Sequence, residues 1–250
     1  MAKYYIEING KKINVILRKF KNTKKIKIFF REDILNVSMP SKVTKAQVIG
    51  LLKENEQAIY KQYLIMEEQK RKKLEKQHKW ATGEQISYLG KLFLIQTIQD
   101  ESYKKIQVHI NKDEEKVIIQ IPSQMQLEND EVRNKIRKKI KEKFQEETKQ
   151  IVETRLPYWS NVTNIQYKDY QIRDAVSKFG SCAPKIARLH FSGRIIMLPM
   201  NVIDAILVHE LCHIVYANHS SQFYQLVKQY IPDYENVALW LKNNGNIIVF

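Results

Sequence analysis

Cysteine is scarce in this chain. Cys182 and Cys212 are the only two in 250 residues, too few for the disulfide framework that staples small secreted domains. Long apolar runs are also missing. The longest, near Ile203–Val208, is far short of a bilayer span and leads straight into His209. Met1–Glu7 lacks the apolar stretch of a signal peptide. These absences lead us to expect a cytoplasmic protein with no membrane partner, and nothing in the sequence sets its oligomeric state.

Acidic residues are the minority, 27 against 42 basic ones, for a net charge of +15. The imbalance is local. From Ile195 onward Lys228 and Lys242 stand against Asp204, Glu210, Asp233 and Glu235, so this end carries −2 and the rest +17. Such a front portion makes nucleic acid a candidate partner. A genome biased towards Lys, Ile and Asn produces the same excess without any binding surface.

Hydrophobic residues make up 44% of the chain, enough for a sizeable core. The patterning is that of an α+β protein. Tyr4–Ile8, the hairpin signal Asn9-Gly10, Lys12–Arg18, Lys25–Phe30 and Ile34–Met39 read as a small antiparallel sheet closed by Pro40. A single long helix is expected from Thr44 to about Lys76. Strands then recur at Ile86–Thr97, turning at Leu89-Gly90-Lys91, and at Lys105–Ile110 and Lys116–Ile121. A second long helix follows from Asn129 to Leu156, with Pro157 as its stop. Strands followed by a helix thus occur twice, without self-similarity strong enough to name a repeat.

The remainder reads as strands at Ile165–Tyr170, Gln171–Val176, Ile186–Phe191 and Arg194–Leu198, around a loop Phe179-Gly180-Ser181-Cys182. Helices follow from Pro199 or Asn201 to about Ala217, from Ser220 or Ser221, and from Pro232-Asp233 to Gly245. The strands of Ile186–Leu198 are expected to wall the first of these helices. The domain division is placed at 157, with a basic strand-and-helix region 1–157 before a core of residues 158–250.

That core carries His209-Glu210-Leu211-Cys212-His213. Histidines four apart share one helix face, so both imidazoles can reach one zinc ion at about 2.1 Å. Glu210 is rotated by roughly a quarter turn, beside the metal without binding it, where a general base can take a proton from a water the metal activates. A catalytic zinc needs a third protein ligand and one open position. His219, ten residues after His209 and just past Asn218, is the candidate. The same ligand set accepts manganese, iron or cobalt. The spacing is that of the metzincin peptidases, but Tyr216 stands where they have glycine and no Met-turn methionine follows. Polar groups embedded between Ile206-Leu207-Val208 and Ile214-Val215 are costly without partners, which favours a metal over a polar helix edge. His78, His109 and His190 are isolated, with His190 alone kept in reserve. Tyr216, Asn218, Tyr224 and Arg188 are candidate oxyanion donors.

Ser177-Lys178-Phe179-Gly180-Ser181-Cys182, Val202-Ile203-Asp204, His209-Glu210-Leu211-Cys212-His213, Asn218-His219-Ser220, Phe223 and Pro232-Asp233-Tyr234 together resemble the YgjP-like metallopeptidase family. The likeness is strong over the last 85 residues or so and looser in front, and Phe179 stands where the family usually has tryptophan. It implies a minimal zincin or gluzincin-like core with a small sheet packed on the active-site helix. It implies Zn2+ held by His209, His213 and His219, Glu210 as base, and a polypeptide substrate. The alternative is a basic nucleic-acid-binding protein with a structural zinc site closed by Cys212 or His190, or a protease acting on DNA-bound proteins.

Overall fold

The computed structural model describes residues 3–31, 33–75 and 78–245. The chain forms two compact units, Met1–Gln77 and His78–Phe250. The α+β mixture expected from the patterning is present, built from three small sheets and six helices among the described residues.

In the first unit β1 (Lys3–Ile8), β2 (Lys11–Phe20), β3 (Lys27–Arg31) and β4 (Ile34–Pro40) form one sheet in the order β1-β2-β4-β3, with β2 and β4 parallel. One face packs Ile13, Val15, Leu35 and Val37 against Val48, Leu52 and Ile59 of the helices that follow. The single helix expected from Thr44 is in fact two, α1 (Lys45–Glu54) and α2 (Glu56–Glu75); its expected end at Lys76 lies outside the described residues. Thr44 and Gln47 start α1 with a reciprocal capping box. Asn55 ends it, because its side-chain amide and its backbone N–H both bond the Leu51 carbonyl, at 2.8 and 3.1 Å. An asparagine that competes in this way for the helix backbone interrupts a helix that periodicity alone would continue.

The second unit begins with β5 (Gln85–Tyr88), β6 (Lys91–Asp100), β7 (Gln107–Asn111) and β8 (Lys116–Pro122), in the order β5-β6-β8-β7. This is the topology of the first sheet, and its register matches too. β2 pairs with β4 from Asn14↔Ile34 to Phe20↔Pro40, and β6 pairs with β8 from Leu94↔Lys116 to Asp100↔Pro122. Left-handed backbone falls at the same places, Asn9, Gly10 and Asp33 in one sheet and Leu89, Gly90 and Glu115 in the other.

The helix α3 (Asp130–Thr163) does not stop at Pro157 but runs on to a left-handed Asn164. Proline inside a helix costs about 3 kcal/mol. Here it sits on the exposed side, while Val152 and Leu156 just before it are fully buried, each contributing about 1.5–3 kcal/mol. The packing outweighs the lost bond. The boundary expected at 157 therefore falls inside a helix, and the change from one compact unit to the next comes after Gln77.

Beyond α3, one strand replaces the two expected between Ile165 and Val176. β9 (Asp169–Arg173), β10 (Gly180–Ala183) and β11 (Arg188–Ser192) make a small sheet in the order β10-β11-β9. Where a strand is expected over Arg194–Leu198, Gly193–Met197 is a buried 3-10 turn capped by Ser192. The helices α4 (Met200–Val215), α5 (Ser221–Tyr230) and α6 (Tyr234–Asn244) complete the unit. Arg155 and Trp159 of α3 both bond the buried Asp204 of α4, Arg155 in a two-point ion pair at 2.8 and 2.5 Å. This fixes α4 about one and a half turns before His209. Among the described residues no helix is long and apolar enough to cross a membrane.

Candidate metal centre

α4 carries His209, Glu210 and His213 on a helix whose residues from Val202 to Val208 are all buried. It ends at Val215, two residues short of expectation, and Tyr216 closes it with its backbone N–H on the Cys212 carbonyl. The chain then turns so that His219 precedes Ser220, whose hydroxyl accepts from the Phe223 N–H and starts α5. The turn brings the third imidazole back over the first two. The Nε2 of His209 lies 3.1 Å from that of His213 and 3.2 Å from that of His219. The ring of Phe223, fully buried, lies 4.9, 4.4 and 5.1 Å from the three imidazoles and backs them all.

This donor set fits a tetrahedral ion. Bonds of about 2.1 Å to imidazole nitrogen put neighbouring nitrogens roughly 3.4 Å apart, close to the separations found. The other ring nitrogens are tied down. His213 Nδ1 lies 3.0 Å from the Tyr216 carbonyl oxygen, which can only accept. Nδ1 therefore holds the proton and the Nε2 lone pair faces the centre. His209 Nδ1 lies 2.6 Å from the Tyr234 hydroxyl. Burial, with His213 and His219 nearby, drives the His209 pKa down to about 3, so this imidazole is neutral and free to donate at neutral pH. Burial first, then the neighbouring His219 and Lys178, also lowers that of His213, against its bond to Tyr216.

Among the described residues the group that could hold an ion is His209, His213 and His219, without the fourth ligand that a closed structural site requires. Cys212 is wholly buried and its thiol is pushed up to about 12 by that burial. His190, on β11 opposite Ser181, lies outside the cluster.

Glu210 is 6% exposed, and its Oε2 has no hydrogen-bond partner among the described residues. Burial holds its carboxyl up at about 8, with Lys178 pulling the other way. An orphaned carboxylate oxygen beside a convergent triad is the arrangement a base needs before its water arrives. Two cavities meet at this point. One of about 360 Å3 is bordered by Gly180, Ser181, Cys182, His209, Glu210, His213 and His219. The other, about 250 Å3, lies between Phe179, Ala205, Ile206, Tyr234, Val237 and Leu241, and reaches the same His209 and Glu210.

A family model for the YgjP-like metallopeptidase domain matches residues 24–244. The chain belongs to the YgjP-like metallopeptidase family. No curated protein matches it. The crystal structure of the metallopeptidase zymogen of Pyrococcus abyssi abylysin is similar at 20% identity and a TM-score of 0.34, over 37% of this chain and 93% of that one; at that score it bears on neither fold nor chemistry.

In this YgjP-like chain the wall beside α4 is β10, not the Ile186–Leu198 strands expected from the sequence. Among the described residues β10 is an edge strand, paired only with β11. Its first residue, Gly180, is so close to Glu210 that an added Cβ would lie 2.6 Å from Glu210 Oε1 and 2.7 Å from its Cγ. Arg194 bonds the carbonyls of Ala175 and Val176 and stands over the Phe179 ring at 5.1 Å, bracing the segment that leads into β10. Of the oxyanion candidates, Arg188 is committed to a two-point ion pair with Asp169 at 2.6 and 2.7 Å. Tyr224 stacks beside His219 at 6.0 Å. Sequence reasoning missed the spacer role of Gly180 and the bond from Tyr234 to His209, although both residues lie within the strings that carry the family likeness.

Proposed function

We propose that the chain is a zinc-dependent peptidase in which His209, His213 and His219 hold the ion and Glu210 is the general base, within a minimal zincin-like core in the second unit. The observation that carries this reading is the convergence of three imidazole Nε2 atoms within 3.1–3.2 Å of neighbours, beside a buried carboxylate oxygen that has no partner. Once bound, zinc supplies a water of lowered pKa and polarisation of the scissile carbonyl. Glu210 takes the proton of the attacking water and delivers it to the departing amine nitrogen. Burial raises the pKa of its carboxyl, and the positive charge of a bound ion would favour the ionised form that accepts the proton. The free edge of β10 offers backbone groups to an extended polypeptide by strand addition, and the apolar cavity beside Phe179 and Val237 takes one of its side chains. Phe223 and the bonds at both Nδ1 atoms hold the rings in place before any ligand arrives.

The test is hydrolysis of an unfolded polypeptide such as denatured casein. Zinc-loaded protein is expected to release peptides, to stop when a chelator strips the metal, and to resume when zinc is restored. No release by freshly reloaded protein would overturn the reading. A finer expectation concerns Tyr234→Phe, which removes the hydroxyl at His209 Nδ1. Outer-shell partners of metal-bound histidine are worth about 10–100-fold in metal affinity. Zinc competition titrations are therefore expected to show a loss of about tenfold, and unchanged affinity would mean that Tyr234 does not orient the ligand.

A further inference from the structure

The two four-stranded sheets share strand order, register and left-handed turn positions, and each is followed by helix that packs on one face. They differ in what lies between the edge strand and the helix. In the second unit the chain fills that place itself. Gly193–Met197 is entirely buried and packs on both β5 and α3. The β5–β6 turn holds it, with the N–H of Leu89 donating to the Ile196 carbonyl at 2.7 Å, and the N–H of Gly90 and the hydroxyl of Ser87 donating to that of Met197 at 3.3 and 2.7 Å. Contact is so close that a Cβ on Gly90 would lie 2.7 Å from Pro199 Cγ.

Among the described residues of the first unit the corresponding place is open. Around Gly10, the counterpart of Gly90, nothing lies within 4 Å of an added Cβ. Between β1 and α1 runs a groove of about 510 Å3 with an apolar floor of Ile6, Ile8, Ile49 and Leu52. Tyr4 lines it too, and its hydroxyl is buried without a hydrogen-bond partner among the described residues. Lys53, Glu7 and Glu56 are the charged residues that line the groove. The unit as a whole has 19 basic against 8 acidic residues over positions 1–77, a net +11.

We propose that the Met1–Gln77 unit is a duplicate of the sheet-and-helix piece of the second unit, adapted for docking, and that its β1–α1 groove takes a short apolar stretch of another polypeptide with acidic residues on either side. The second unit shows the mode of binding. Apolar side chains fill the space under the edge strand, and carbonyls of the guest accept from the turn amides, here those of Asn9 and Gly10. The Tyr4 hydroxyl gains a partner from the same backbone. Acidic flanks suit the basic surface of the unit. The binding does not depend on the peptidase chemistry proposed above.

Anisotropy of a fluorescent peptide, Ile-Ile-Met-Leu between paired aspartates, tests this on the full chain. It is read once with chelator and once with zinc, so that binding and hydrolysis are separate observables. Saturable binding is expected in both conditions. Ile49→Trp, which fills the groove, is expected to weaken it by about tenfold or more. The exposed Lys53→Glu, which leaves the core untouched, is expected to weaken it several-fold and to favour a peptide flanked by lysines. Circular dichroism checks that Ile49→Trp is folded, and Lys53→Glu decides the matter if it is not. Absence of saturable binding overturns the proposal, as does equal affinity of wild type and Lys53→Glu for both peptides. A short DNA duplex that displaces the peptide and binds Ile49→Trp as well as wild type would assign the face to nucleic acid and overturn it too.

Discussion

Replacing Glu210 by glutamine is expected to lower the hydrolysis rate by about a thousandfold or more while the zinc content stays the same. General acid–base catalysis by one positioned group is worth about 10²–10⁴-fold, and under the proposed mechanism Glu210 acts in both proton transfers. Glutamine has nearly the same shape, so the contact with Gly180 and the packing of α4 are preserved. It cannot accept a proton at neutral pH. It also removes a buried carboxylate whose Oε2 has no partner and whose charge burial disfavours. The variant is therefore expected to melt no lower than wild type, and it separates catalysis from folding cleanly. Zinc measured by atomic absorption and peptide release measured on the same samples give the answer. Full activity in the variant would end the assignment of Glu210 as base. Loss of zinc together with activity would make Glu210 part of the binding set instead.

The triad was legible in the sequence because its geometry is local. His209 and His213 need only a helix, and the apolar residues on both sides of them guarantee one. His219 needs only a prompt reversal, which the end of α4 at Val215 and the Ser220 cap of α5 provide. The surroundings of the triad were less legible, because they are set by partners distant in the chain. Gly180–Ala183 reads as a loop since four residues with a glycine and a serine show no alternation, and only pairing with β11 makes them a strand. Ile195-Ile196-Met197-Leu198 reads as a strand because a short apolar run looks the same whether it is extended or coiled; enclosure on all sides in the core makes most of it a 3-10 turn. Tyr234 stands 25 residues from His209, and no spacing rule joins them. The likeness of the two sheets is not legible in the sequence because it lies in register and turn geometry rather than in matching side chains, with Lys24-Lys25-Ile26 and Lys104-Lys105-Ile106 among the few shared letters.

Gly180→Ala is expected to cost about a hundredfold in activity although it touches neither the metal nor the substrate's scissile bond. The argument is steric. A methyl at this position would lie 2.6 Å from Glu210 Oε1, 2.7 Å from Cγ and 2.9 Å from Cδ, well inside the roughly 3.5–4.0 Å of an ordinary non-bonded contact. Either β10 or the carboxylate must move. β10 is held to β11 along its whole length, whereas the Glu210 side chain has rotamers to spare, so the carboxylate gives way. A displacement of about 1 Å in a positioned group costs on the order of a hundredfold. The three atoms nearest the new methyl all belong to Glu210, so zinc affinity is expected to stay within about twofold. The combination to look for is a fall in kcat with metal content and melting temperature near wild type. The double variant with Glu210→Gln then discriminates the cause. If the glycine acts only through the base, adding Gly180→Ala to Glu210→Gln lowers the residual rate no further. A further hundredfold loss in the double variant would show that the methyl blocks the substrate on β10 instead.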